Sequence, residues 1–422
     1  MKIKLTTQIP NPNDVAFYKE MEQYEANSMF GQLPNVWHSA EDCWVKDRHN
    51  NIFLDFTSTI CVTNMGHGNA NVCNALRKVI NKPLLHTYTF PTEERAKYIK
   101  TLINKCYPGG KAFLVSAGTE ATECAVKLMR MYSMSKYKYR HYIISIEGAM
   151  HGRTLAAERM KGPTLDNSWA FADDPGGFLQ LPLPIKNSDF FEDLKNTFSM
   201  FSLAPEILIG GFMIESYQGW SAEFYPKDYI KSLMYYAHKY DIPVCFDDIQ
   251  GGFGRTGKMF AFEHYDIKPD LICIGKGSSG SVPLSGVIGR KDILDMPSIG
   301  SMSSTHSASP LACSAGLAVL DHITTSLLEK VEDQGCIIDK ELSPVLYNKY
   351  GDDFILNGNG LLWGIITPTD EEATRIVWEC FKKGLLLIWT HKNSVKIAPP
   401  LTITDEALNE GLTILKGVIN ND

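Results

Sequence analysis

The chain has 422 residues, more than one simple core accommodates, so two domains are the expectation. Its 44% apolar and 21% charged residues match a globular protein, and a net charge of −7 with no Lys/Arg-rich run argues against nucleic acid as a partner. Ten scattered cysteines form no CxxC pair, which excludes a zinc ribbon and a disulfide framework and fits a reducing compartment. No apolar run approaches the ~20 residues of a membrane span, and MKIKLTTQIPNPND lacks the apolar centre of a signal peptide. A cytoplasmic protein with no membrane partner is therefore expected.

In chain order, residues 1–50 read as irregular, with Pro10, Pro12 and Pro34 in a mixed-polarity stretch. Two short strand signals follow, Cys43–Asp47 and Asn51–Phe56, separated by the turn residues Arg48 to Asn51. Val72, Leu76 and Val79 recur at helical spacing and predict a helix from Ala70 to about Lys82. Between about 110 and 315, short apolar runs alternate with helical stretches. The predicted strands are 112–115, 142–146, 207–214, 243–246, 271–274 and 285–288, with helices over Glu120–Tyr132 and Pro226–Tyr240. Continuous apolar strands between helices indicate an α/β fold with a mostly parallel sheet covered on both faces. Beyond 316, helices at Ala315–Leu328 and Glu371–Lys383 suggest a smaller α+β domain.

Three places carry chemistry. Ser116-Ala-Gly-Thr-Glu opens a helix directly after a strand, so it reads either as an anion site on the helix N-terminus or as an ordinary cap made by Ser116 or Thr119. Asp247-Asp248 ends a buried strand, where open α/β sheets place ligands; the pair suits a buried cation, a metal or a protonated ring nitrogen, and equally a turn cap. Lys276 leaves the end of the next apolar strand. A buried lysine there is costly unless paired or deprotonated, which makes it a candidate for amine chemistry beside the alternative of a solvated surface residue. Two GxGxxG runs, Gly252–Gly257 and Gly275–Gly280, open no predicted helix and are set aside as dinucleotide sites.

Taken in order, SAGTEA, GAMHGRT, FDDIQGGFGRTG, GKGSSGSVPLSG and STHSASPLAC resemble the class III (ornithine and 4-aminobutyrate type) aminotransferases, across nearly the whole chain. The resemblance implies a fold type I enzyme: a large pyridoxal phosphate domain with a seven-stranded-type sheet over residues 61–315, and a small domain built from 316–422 with 1–60 contributing. It implies that Lys276 holds the cofactor as a Schiff base and moves protons, and that Asp247 pairs with the pyridine nitrogen. Gly118 and Thr119 would take the phosphate, Gln250 would lie near the ring hydroxyl, and Met150 and His151 would neighbour the ring. Thr305 would reach the phosphate of a neighbouring subunit, implying a homodimer with shared sites, and Arg153 would grip a substrate carboxylate. No metal is implied.

Departures from the family pattern fall at Met150, where an aromatic usually stacks, at Asp248, which stands for a glutamate, and at Trp220 and Lys396, which replace a gating glutamate and its arginine partner. Those last two point to a substrate pocket for a larger or differently charged acceptor. The implied reaction is a ping-pong transfer from an amino donor to an aldehyde or keto acceptor. The alternatives are an aminomutase, decarboxylase or phospho-lyase using the same cofactor, a scaffold that has lost catalysis, and a nucleotide-dependent oxidoreductase resting on the two glycine runs.

Overall fold

The computed structural model describes residues 1–171, 176–351 and 354–420. The N-terminal part contributes β1 (Trp37–Glu41), β2 (Trp44–Asp47) and β3 (Ile52–Asp55), an antiparallel run. The middle of the chain supplies β4 (Lys111–Val115), β5 (Tyr142–Ile146), β6 (Phe178–Leu181), β7 (Ile209–Glu215), β8 (Val244–Asp247), β9 (Leu271–Ile274) and β10 (Ser285–Gly289). The C-terminal part adds β11 (Ile355–Asn359), β12 (Leu362–Ile366), β13 (Leu385–Leu386), β14 (Ile388–Trp389) and β15 (Ser394–Ile397).

Strands β4 to β10 form one seven-stranded sheet in the order β4-β10-β9-β8-β7-β5-β6. It is parallel except at β10, which runs antiparallel to both its neighbours. Alternate residues leave opposite faces. Met213, Cys245, Cys273 and Val287 pack with the helix Gly118–Lys136, whereas Phe212, Ile214, Phe246, Ile272 and Ile274 belong to the larger core on the other side. Both faces are thus buried, which is why these strands read as unbroken apolar runs.

A second sheet, β1-β2-β3-β13, joins the two ends of the chain: β13 pairs parallel with β3, Leu385 opposite Leu54. The third, β11-β12-β15-β14, is antiparallel.

Several expectations need correction. Residues 1–50 are not irregular throughout: a helix covers Pro12–Met21, capped by the Asn11 side chain with proline in its first turn, and β1 follows. The helix expected over Ala315–Leu328 is two, Pro310–His322 and Thr325–Tyr350, meeting at 73° because Ile323 is extended and Thr324 caps the second. The stretch expected as a strand from 207 begins as a helical turn, Pro205–Leu208, so β7 starts at Ile209. Neither glycine run opens an α-helix. Among the described residues, no single helix is long and apolar enough to cross a membrane.

Candidate active site

A cavity of about 550 Å³ lies over the carboxyl ends of β8 and β9. Its floor is set by strand ends. Asp247 closes β8 and lines the cavity; its Oδ2 accepts from His151 Nδ1 at 2.8 Å and its Oδ1 from the Ile249 amide at 3.1 Å. Asp248, one residue on, points the other way, fully buried, with its Oδ2 3.5 Å from the Phe262 amide. Burial raises its carboxyl to about 8. Pleating thus separates the pair, and only Asp247 faces the cavity.

Lys276 follows β9 across Gly275 and begins a short 3₁₀ turn with a left-handed φ of 41°. It is half-buried at the cavity wall, and its amine makes no hydrogen bond or ion pair among the described residues.

The opposite wall is the N-terminus of the helix Gly118–Lys136. The cap is neither Ser116 nor Thr119. Ala117 occupies that position, and the Glu120 carboxylate accepts from the Ser116 and Ala117 amides at 2.8 and 2.9 Å. The amides of Gly118 and Thr119, in the first turn, have no intrahelical acceptor. Close packing keeps this corner open: a Cβ on Gly118 would come within 3.1 Å of Ile249 Cδ1, and one on Gly152 (φ +127°) within 2.4 Å of Thr119 Oγ1. The Thr119 hydroxyl lies 2.6 Å from that of Thr154.

A phosphate fits the free amides at a helix N-terminus. Ile249, Met150 and His151 line the same cavity as the Asp247 carboxylate and the Lys276 amine, a mix of apolar and polar groups that suits an aromatic ring carrying a nitrogen and a carbonyl. His151 is buried and its Nε2 has no partner. The residues present therefore suit pyridoxal phosphate. Among the described residues, no group of three His, Cys, Asp or Glu side chains could hold a metal ion.

The remaining wall comes from the C-terminal part and from β7. Lys396, brought in by β15, is buried; its Nζ donates to the Gly219 carbonyl at 2.5 Å and lies 3.4 Å from Gln250 Oε1. Burial, reinforced by the positive charge of Lys276, pushes its ammonium down to about 8. Glu215 ends β7 beneath it, accepting from the amides of Met150 (3.1 Å) and Gly219 (3.2 Å), and burial lifts its carboxyl to about 7. Arg153 is exposed at the rim with no hydrogen bond or ion pair among the described residues. Trp220 lines the cavity, and the cation over its ring is not Lys396 but Lys392, 4.4 Å from the centroid.

Every site residue expected from the sequence therefore lines this cavity except Thr305, which is exposed outside it, its carbonyl 2.7 Å from His86 Nε2. The sequence run Glu215-Ser-Tyr-Gln-Gly-Trp220 resembles a family motif, but sequence reasoning gave Glu215 itself no role. It also missed Ile60, which enters the cavity wall from a left-handed turn: Ser58, Thr59, Ile60 and Cys61 have φ of 46°, 50°, 61° and 63°. Left-handed backbone costs about 1–2 kcal/mol per non-glycine residue, and no local signal announces it in a Ser-Thr-Ile-Cys sequence.

A model of the family described as Aminotransferase class-III matches residues 27–419. An acetylornithine aminotransferase of Caldanaerobacter subterraneus is 30% identical over 93% of this chain and 96% of its own length. A probable 4-aminobutyrate aminotransferase of Bacillus subtilis is 31% identical, covering 86% and 88%. The crystal structure of acetylornithine aminotransferase from Elizabethkingia anophelis superposes with a TM-score of 0.80 at 26% identity, over 98% of this chain and 99% of that one. The chain belongs to the class III aminotransferases, enzymes of the EC 2.6.1 type that move an amino group from a donor to a keto acceptor with pyridoxal phosphate.

Proposed function

We propose that Lys276, Asp247, Gly118 and Thr119 carry the transamination, and that Arg153 selects a donor bearing a carboxylate. The observation that supports this is the convergence in one cavity of an unpartnered lysine amine, a buried strand-end carboxylate and free helix N-terminal amides. Pyridoxal phosphate, when bound, supplies an electron sink for the carbon that loses its proton. Asp247, itself held by His151, keeps a proton on the ring nitrogen. The Gly118 and Thr119 amides would take the phosphate, and Gln250 would serve the ring hydroxyl. The Lys276 amine would hold the cofactor and is placed to move the proton at the substrate carbon. Met150 would offer the ring a thioether, a softer contact than an aromatic face.

Arg153 offers a planar fork suited to a carboxylate at the rim. Trp220 and Lys396 shape the far wall, and we read them as restricting which donors and acceptors fit; the acetylornithine and 4-aminobutyrate names of the relatives mark the class of ω-amino substrate to screen first. The exposed position of Thr305 suits a residue offered to a second copy, hence a homodimer with shared sites. We take the enzyme to be cytoplasmic. We read 61–315 as the large domain and 316–422 with 1–60 as the small one, supported by the pairing of β3 with β13.

The test is the visible absorption of the purified protein before and after L-glutamate. A cofactor band that is absent in Lys276→Ala, and that glutamate bleaches in the parent enzyme, is the expected result. A band that persists unchanged in Lys276→Ala overturns the assignment of the lysine.

A further inference from the structure

Arg255 is the largest fully buried side chain in the molecule, and nothing in the transamination reading uses it. Among the described residues, no carboxylate pairs with it. Its guanidinium is instead held by four acceptors from three separate segments. Nη1 donates to the carbonyls of Leu361 (3.1 Å) and Pro399, and Nη2 to Asn64 Oδ1 (2.5 Å) and Ser58 Oγ (3.3 Å). Burial lowers its proton affinity, and that burden has to be offset by what the fork organises.

Two of the four acceptors lead to the cavity. Ser58 begins the left-handed turn that carries Ile60 into the wall, and its hydroxyl donates onward to the Ala398 carbonyl at 2.6 Å. The other end of that turn's entry is fixed by Asp55, whose Oδ1 accepts from the Thr57 amide and hydroxyl at 2.7 and 2.6 Å. Asn64 is buried and donates to the Phe253 carbonyl at 3.3 Å. Its side chain lies directly on Gly277, the residue after Lys276: a Cβ at Gly277 would come within 2.2 Å of Asn64 Nδ2. A backbone held in an unfavourable region persists only where its surroundings over-determine it.

From this geometry we infer that Arg255 is a positioning residue, clamping through Asn64 the backbone that aims the Lys276 amine, and through Ser58 the left-handed turn that closes the cavity wall. The inference rests on Lys276 being the cofactor lysine, which the Lys276→Ala spectrum tests separately.

Arg255→Lys keeps the charge and loses the fork, and Asn64→Ala removes the contact with Gly277, one acceptor of the guanidinium and the bond to the Phe253 carbonyl. In each, protein purified as folded and saturated with pyridoxal phosphate should show a kcat reduced about ten- to a hundredfold, as expected when a reacting group is misplaced by up to about 1 Å. KM should change less, and the pH midpoint of the visible cofactor band should move with kcat. Gly277→Ala, which forces a clash with Asn64, should displace the midpoint further than Asn64→Ala does, and adding Asn64→Ala to the Gly277→Ala background should bring it back to that of Asn64→Ala alone, because the clash partner is gone. Should Arg255→Lys fail to fold, the Asn64 and Gly277 variants decide the matter. If folded Asn64→Ala keeps the parent kcat and band midpoint and differs only in melting temperature, the arginine cluster merely ties segments together and the inference is overturned.

Discussion

Replacing Lys396 by methionine should stabilise the protein at neutral pH. Lys396 is wholly buried, and its ammonium is pushed from 10.5 down to about 8, chiefly by desolvation. At 1.36 kcal/mol per tenfold change in proton affinity, keeping it charged below pH 8 costs the fold about 3 kcal/mol. Methionine fills a similar volume without that cost. The lost bond to the Gly219 carbonyl takes back about 1 kcal/mol, leaving a net gain of about 2 kcal/mol. With an unfolding entropy of about 2.1 cal/mol/K per residue, this raises Tm by about 2 °C at pH 7. The sign of the pH dependence is fixed. Because the folded value lies below the unfolded one, the unfolded chain binds the extra proton between about pH 8 and 10.5, so the parent protein gains stability as pH rises through that window. The gap between variant and parent should therefore close toward pH 10.5. Differential scanning fluorimetry of both proteins without added cofactor from pH 7 to 10 reads this directly. A methionine variant less stable at pH 7, or a gap that does not narrow with pH, refutes the reasoning.

Two further outcomes follow from the same wall. Glu215 has a folded value near 7 against 4.5 unfolded, so its stabilising effect is complete below about pH 4.5 and is lost as pH rises through 7; Glu215→Gln should flatten that loss in denaturant titrations at pH 5 and pH 8. Arg153→Met should raise KM for a donor carrying a carboxylate by about ten- to a hundredfold, the worth of a charge-assisted contact, while an amine donor lacking that group should show little change in steady-state assays.

Much of the fold was legible because burial on both sheet faces writes itself as unbroken apolar runs: Leu271–Ile274 appears in the sequence as it stands in the sheet. What escaped lacked such a pattern. Strand Phe178–Leu181 is a four-residue edge strand with two half-buried positions. The helix Pro12–Met21 buries only Asp14, so no apolar stripe marks it, although Asn11 and Pro12 are a start signal. The break at Ile323 lies inside continuous helical periodicity, where only tertiary packing decides. In the site, Lys276, Asp247 and Gly118 were readable from their places at strand ends and a helix start. Ile60 was not, because it depends on a backbone conformation its residue type disfavours; nor was the contact of Lys392 with the ring of Trp220, which joins segments 172 positions apart.

The pairing of β3 with β13 also bears on how the protein is made. Leu54 meets a strand more than roughly three hundred positions later, so on the ribosome the first three strands emerge long before their fourth exists. Until Leu385 and Leu386 have been made, β3 presents an unpaired edge bearing Phe53 and Leu54, both buried in the finished fold. The N-terminal strands thus carry an open apolar edge through most of the synthesis of the residues that separate β3 from β13, a stretch in which shielding by a chaperone would matter.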